Sequence, residues 1–83
     1  MPETESLRVK LEYPLNHVKE PILYHLVRDH HLIPNIRRAN VDAHTGGTLI
    51  LELQGGARDL QAGMEFLRGV GIGVQEIGPE AAW

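Results

Sequence analysis

The chain of 83 residues has no cysteine, which excludes disulfides, thiolate nucleophiles, cysteine-ligated zinc and iron–sulfur clusters in this sequence. Aromatic residues are also scarce, at 5% of the chain. An RNA-recognition motif stacks bases on aromatic side chains of its central strands, and the strand-like segment TLILELQ (residues 48–54) has none. The sequence therefore favours neither a redox protein nor a stacking RNA-binding module.

Positive charge is in short supply as well. The chain has 8 lysine and arginine residues against 11 aspartate and glutamate residues, and its formal net charge is −3. Binding to a phosphate backbone grows with the number of lysine and arginine contacts. The adjacent pair Arg37 and Arg38 is too small to form a basic face, so we expect no nucleic-acid partner.

Long apolar runs are missing too. No stretch approaches the ~20 apolar residues that cross a bilayer. The amino end, MPETESLRVK, is acidic where a signal peptide would be basic and then apolar. We therefore expect a cytoplasmic protein without membrane insertion.

The remaining composition is that of an ordinary globular protein, with 42% apolar and 23% charged residues. A chain of this length can build one hydrophobic core but not two. We expect one domain over residues 1–83, with its core at about 7–78 and tails at 1–6 and 79–83.

Hydrophobic patterning predicts six elements. Alternation in LRVKLEY is typical of a half-buried strand, Pro21 suits the first turn of a helix, and the glycines of HTGG suit a tight turn. The predicted order is a strand at 7–13, a helix at 21–31, a strand at about 35–44, a strand at 48–54, a helix at about 57–70 and a strand at 71–77.

This β-α-β-β-α-β order predicts an α+β fold, the ferredoxin-like sandwich, in which a four-stranded antiparallel sheet carries both helices on one face. The first and third strands should be central and the second should lie at an edge. Simple alternation places Ile36 on one face of the second strand and Ala39, Val41 and Ala43 on the other. Such a phase change suggests a bulge or a twisted edge strand.

Side-chain periodicity also predicts which residues build the core. The third strand should turn Leu49, Leu51 and Leu53 inward and leave Ile50 exposed on the opposite face. The apolar stripe of the first helix should contain Ile22, Leu23, Leu26 and Val27. Gly63 costs about 1 kcal/mol relative to alanine inside a helix, so we expect it to allow a close approach to the sheet.

Catalytic and metal-binding patterns are not evident. None of the five histidines forms a His-x-x-x-His pair, and adjacent His30 and His31 would project about 100° apart on a helix. The segment GGARD lacks the Gly-Lys-Ser/Thr ending of a phosphate loop. No serine or threonine stands in a pattern that suggests activation by a histidine. We expect no enzyme activity, no metal and no cofactor.

Three segments resemble the NIL domain family: PNIRRANVD, GGTLILELQG and DLQAGMEFLRGVGIGVQEIG. The resemblance covers about residues 7–78. The family is best known as the C-terminal regulatory domain of methionine-importing ABC transporter ATPases, is similar to ACT domains, and commonly forms homodimers. The resemblance thus implies an amino-acid sensor whose ligand, in the transporters, is methionine. The 83 residues contain no nucleotide-binding P-loop, so transport activity is not implied.

The family motif, an Asn-Ile-Leu step, identifies candidate ligand-binding residues. Asn35 matches the motif asparagine, and Ile36, Arg37 and Arg38 would line the same pocket. Arg37 replaces the usual apolar leucine and would either pair with a carboxylate or remove an apolar pocket. An asparagine after a proline also often caps or turns the chain locally, so a purely structural role for Asn35 stays open.

Two functions are compatible with this sequence. The first is a regulatory domain that binds an amino acid such as methionine at a homodimer interface. The second is an adaptor without a small ligand, which would bind a transporter, a ferredoxin or another protein of sulfur amino-acid metabolism.

Overall fold

The computed structural model describes residues 4–14, 21–42 and 44–78. The elements are β1 (Glu5–Tyr13), α1 (Ile22–His30), β2 (Ile33–Asp42), β3 (Gly46–Gly55), α2 (Ala57–Gly69) and β4 (Gly73–Glu76). This order confirms the predicted α+β, ferredoxin-like arrangement. The predictions for Ala43 and for the tail at 79–83 fall outside the described residues.

The four strands form one antiparallel sheet in the order β2-β3-β1-β4. As predicted, β1 and β3 are central and β2 lies at an edge. The register aligns Val9 with Leu51 and Leu11 with Leu49. Directly opposed residues of an antiparallel pair share a face, so the apolar positions of both central strands meet on the side of the sheet that the helices cover.

A single core joins this face to both helices. Its fully or almost fully buried members are Val9, Leu11, Ile22, Leu26, Leu32, Leu49, Leu51, Leu53, Leu60, Met64, Leu67 and Ile72. The leucines at 49, 51 and 53 are therefore inward, as alternation predicted. Ile50 lies on the opposite, open face but is half-buried rather than exposed. The reason is that Arg38 and Lys10 flank it from the two neighbouring strands, and long basic side chains cover apolar surface with their stems.

The predicted bulge lies in β2. The pairing runs from Ile36 opposite Leu51 to Arg38 opposite Ile50, so Arg37 is the extra residue. One extra residue reverses the alternation. Ile36 and Ala39 consequently share the helix-covered face, whereas uninterrupted alternation had placed them on opposite faces.

Helix α1 packs through Ile22 and Leu26, but Val27 is not part of its buried stripe. Val27 is 47% exposed. Leu26 faces the core, and the next residue along a helix is rotated by 100° away from that direction. On either side of the buried pair of α1, His25 and His30 approach the ring of Phe66 in α2 with centroid distances of 6.0 and 5.2 Å.

Gly63 permits a close approach, but the neighbour is not the sheet. A β-carbon at this position would lie 2.6 Å from Cδ1 of Leu32 and 3.4 Å from Cδ2 of Leu26. Leu32 reaches this place because His31 ends α1 in the left-handed conformation, with φ of 55°, and the Leu32 N–H then donates to the Leu26 carbonyl at 3.1 Å. Gly63 is thus a contact point between α2 and the end of α1.

Candidate functional site

The edge strand β2 is the most exposed regular element of the described chain. Of its ten residues only Pro34 is even half-buried. Ile33, Ile36 and Val41 are large apolar residues that are 53–58% exposed. Among the described residues β2 pairs only with β3, so one side of its backbone has no strand partner there. An unpaired edge with apolar side chains is a surface on which another strand can dock.

Asn35 lies near the beginning of this edge strand. It is opposite Glu52 on the open face and is exposed. Within the described part of the chain, its side-chain amide makes no hydrogen bond. The amide is therefore available to a ligand or to a second chain.

The other three predicted site residues point in different directions. Ile36 is on the helix-covered face, Arg37 is the bulged residue, and Arg38 is on the open face opposite Ile50. Arg38 lines a hollow of the surface. A single pocket formed by all four residues within one chain is not present in the described structure, so their role in ligand binding stays a prediction.

The hollow beside Arg38 is an open concavity of about 570 Å³ on the open face of the sheet. It is lined by Lys10, Arg38, Ala39, Asn40, Thr48 and Ile50. Arg38, Ile50 and Lys10 lie side by side on three neighbouring strands. The aliphatic side chain of Ile50 therefore lies between two cationic side chains. Such a combination can hold the carboxylate and the apolar part of one small molecule.

Sequence reasoning missed Lys10, Asn40 and Thr48 as members of this hollow. Alternation in β1 did place Lys10 away from the core. However, its position beside Arg38 depends on the register across three strands, and the bulge at Arg37 sets that register between β2 and β3.

Most charges of the open face are already paired. Arg8 Nε lies 3.8 Å from Glu52 Oε2, and Lys10 Nζ lies 3.6 Å from Glu12 Oε1. Arg38 makes no ion pair with any residue that the structure describes. It is therefore the cation of this face with the most capacity left for an anion.

A second concavity, of about 560 Å³, lies at the end of the sheet where the β2–β3 turn meets the end of β1 and the start of β4. Its polar lining includes Glu12, Tyr13, Asp42 and Thr45. Burial raises the pKa of the Tyr13 phenol to about 12. Asp42 is used locally, since its Oδ1 accepts a 2.7 Å hydrogen bond from the backbone N–H of His44.

Two of the described histidines, His25 and His30, make side-chain contacts within α1 or with Phe66. His25 Nδ1 lies 3.2 Å from Asp29 Oδ2, and Arg28 Nε donates to Asp29 Oδ1 at 3.0 Å. The hydrogen bond from Arg28 is the main reason that the pKa of the Asp29 carboxyl is lowered, and the bond with His25 lowers it further. No group of three or more histidine, aspartate and glutamate residues that could hold a metal occurs in the described ranges, and His17 lies outside them.

Neither described helix has the length and apolar character needed to cross a membrane.

The β-α-β-β-α-β order, the sheet order β2-β3-β1-β4 and the free second strand define a ferredoxin-like domain with an open docking edge. The chain belongs to the NIL domain family, whose model matches residues 7–76. A similar solved structure is the C-terminal domain of an ABC transporter ATP-binding protein from Enterococcus faecalis. The two chains are 26% identical and superpose with a TM-score of 0.77 over 89% of this chain and 86% of the other. A comparison with curated proteins finds no significant match.

Proposed function

We propose that this NIL domain is a non-enzymatic regulatory domain that binds an amino acid, with methionine as the first candidate, between two copies of itself. The observation that carries the proposal is the free edge of β2, which holds Asn35 and three exposed apolar side chains. The similar Enterococcus domain, which is the C-terminal domain of an ATP-binding protein of an ABC transporter, supports regulation of a transporter in the cytoplasm.

The physical state of the edge supports dimerisation. Ile36 and Val41 share the helix-covered face of β2, and both are more than half exposed. A second β2 strand would satisfy the unpaired backbone groups and bury these side chains together. The sheets of the two copies would then continue across the interface.

The ligand would bind beside this interface. Asn35 offers an amide with no other hydrogen bond in the described chain, which suits the amino and carboxylate groups of an amino acid. The hollow beside Arg38 offers a cation next to the aliphatic surface of Ile50. Neither part encloses a ligand within one chain, and a second copy would supply the missing wall.

Calorimetric titration with L-methionine tests the proposal, at a protein concentration where sedimentation shows a dimer. We expect heat of binding for the wild type, and an affinity at least tenfold weaker for Asn35→Ala, because one amide hydrogen bond to a charged ligand group contributes about 1.5–3 kcal/mol. Gln75→Ala is the matched control, since Gln75 is an exposed amide on the open face of the opposite edge strand.

A second function is favoured by the same edge strand. An adaptor would use β2 to add a strand to a partner protein, such as a transporter subunit, a ferredoxin or a protein of sulfur amino-acid metabolism. A dimer that gives no heat with millimolar L-methionine or other amino acids would reject the sensor and leave the adaptor.

A further inference from the structure

We propose that the dimer carries a binding site for a doubly charged oxyanion on its two-fold axis, formed by Arg38 of both copies. The inference rests on the proposed homodimer and adds a ligand class to it. Its starting point is the position of the arginine pair, because Arg37 and Arg38 are the two middle residues of the strand Ile33–Asp42.

The two faces of β2 restrict how a second β2 can pair with it. Before the bulge, Pro34 and Ile36 are on the helix-covered face; after the bulge, Ala39 and Val41 are. Opposed residues of an antiparallel pair must share a face. Residues before the bulge in one copy therefore have to meet residues after the bulge in the other.

Full-length pairing satisfies this condition. It opposes Ile36 to Ala39 of the second copy, Pro34 to Val41, and Asn35 to Asn40, so every apolar pair lies on the helix-covered face. A shift by one residue would oppose Ile36 to Arg38 or Asn40, which are on the open face. A shift by two residues keeps the faces matched in one direction. In that direction, however, Val41 and Asp42 of each copy would have no partner in the other β2 strand.

This register brings the arginines of the two copies together at the axis. In this register each Arg38 is directly opposed to Arg37 of the other copy, at a Cα–Cα distance of about 4.5–5.5 Å. The two Arg38 residues lie diagonally across the axis, and both are on the open face. Like charges at such positions weaken a strand pair. The amides of Asn35 and Asn40 border the same place from both sides.

No carboxylate of the described chain forms an ion pair with Arg38. Glu52 is diagonal to Arg38, but its Oε2 lies 3.8 Å from Arg8. Glu12 lies 3.6 Å from Lys10, and Asp42 is at the far end of the paired strands. A bound anion is thus the simplest source of compensation, and two guanidinium groups with flanking amides match the geometry of a phosphate-type oxyanion.

Sedimentation equilibrium with inorganic phosphate as the probe tests this site. Dimer dissociation constants are measured with and without a few millimolar phosphate, with ionic strength held equal by sodium chloride. For the wild type we expect phosphate to lower the dissociation constant about tenfold. Arg38→Gln should dimerise about tenfold more tightly than the wild type in chloride alone and should not respond to phosphate.

Arg58→Gln is the matched control, because Arg58 is an exposed arginine on α2, outside the edge strand. It should keep the phosphate response of the wild type. A response that survives in Arg38→Gln would show only the general effect of phosphate on apolar association and would overturn the site. A wild-type dimer that ignores phosphate would also overturn it while leaving the dimer intact. A monomer under all conditions would overturn the proposed function itself.

Discussion

Tyr13, at the end of β1, shows how partial burial changes the chemistry of one residue. Its phenol lines the concavity at the end of the sheet, and burial raises its pKa from 10.0 to about 12. The folded state therefore favours the neutral phenol. Its contribution to stability is fully present below pH 10 and is lost as the pH rises from about 10 to about 12.

We expect this loss to be about 1 kcal/mol, which is less than the full pKa shift would give because the side chain is only partly buried. Urea unfolding of the wild type and Tyr13→Phe between pH 9 and pH 12 measures it. The free energy of unfolding should fall more steeply with pH for the wild type than for the variant. Parallel curves would show that the phenol of Tyr13 is not protected from ionisation by folding.

Prediction from the sequence succeeds for residues whose surroundings follow from alternation along their own strand. It fails for residues whose neighbours depend on the register between strands. Alternation correctly turns Leu51 inward. It cannot show that Ile50 is half-buried, because the cover comes from Arg38 and Lys10 on two other strands. The proposed anion site has the same origin, since the sequence shows an arginine pair but not its position at the middle of an edge.

At the scale of the element, the contact between α2 and the end of α1 depends on two glycines around one leucine. Leu32 is 1% exposed. Its two methyl groups lie 2.6 Å from the positions that β-carbons would take at Gly55 and Gly63. The sequence reveals that Gly63 is costly in a helix, but the partner of the close approach follows from the left-handed turn at His31, which simple periodicity does not predict.

Gly63→Ala should destabilise the protein even though alanine is the better helix former. Overpacking against buried Leu32 should cost about 1–3 kcal/mol, which offsets or exceeds the gain of about 1 kcal/mol in helix propensity. Gly69→Ala is the control, since a β-carbon there meets nothing within 4 Å and α2 ends at this residue. Urea unfolding should rank Gly69→Ala at or above the wild type and Gly63→Ala below it, and the opposite ranking would reject this packing role.

The elements themselves were predicted well because their signals are local. The alternation in β1 and β3 and the proline before α1 all act within a few residues. The bulge in β2 was also visible, as a change of phase between Ile36 and Ala39. The consequence of the bulge is not visible in the sequence. One extra residue brings Ile36 and Ala39 to the same face, and this is evident only once the pairing with β3 is known.

At the scale of the whole molecule, the sheet has two edges with different properties. β4 has four residues, Gly73–Glu76, whereas β2 has ten and carries exposed Ile33, Ile36 and Val41. A short edge gives few backbone groups to a partner. Membership of the NIL family and the free β2 edge together make β2 the surface through which we expect the domain to dimerise and to respond to its ligand.

Hydrogen exchange of backbone amides, measured at several protein concentrations, tests this central claim most directly. As concentration rises, the outward-pointing amides of β2 should become protected while those of β4 stay unchanged, because only the β2 edge gains a strand partner. Val41→Lys should abolish the change with little effect on monomer stability, since it places a charge on an exposed edge position. Protection that appears in β4 instead, or β2 exchange that is independent of concentration in the wild type, would contradict the proposed role of β2.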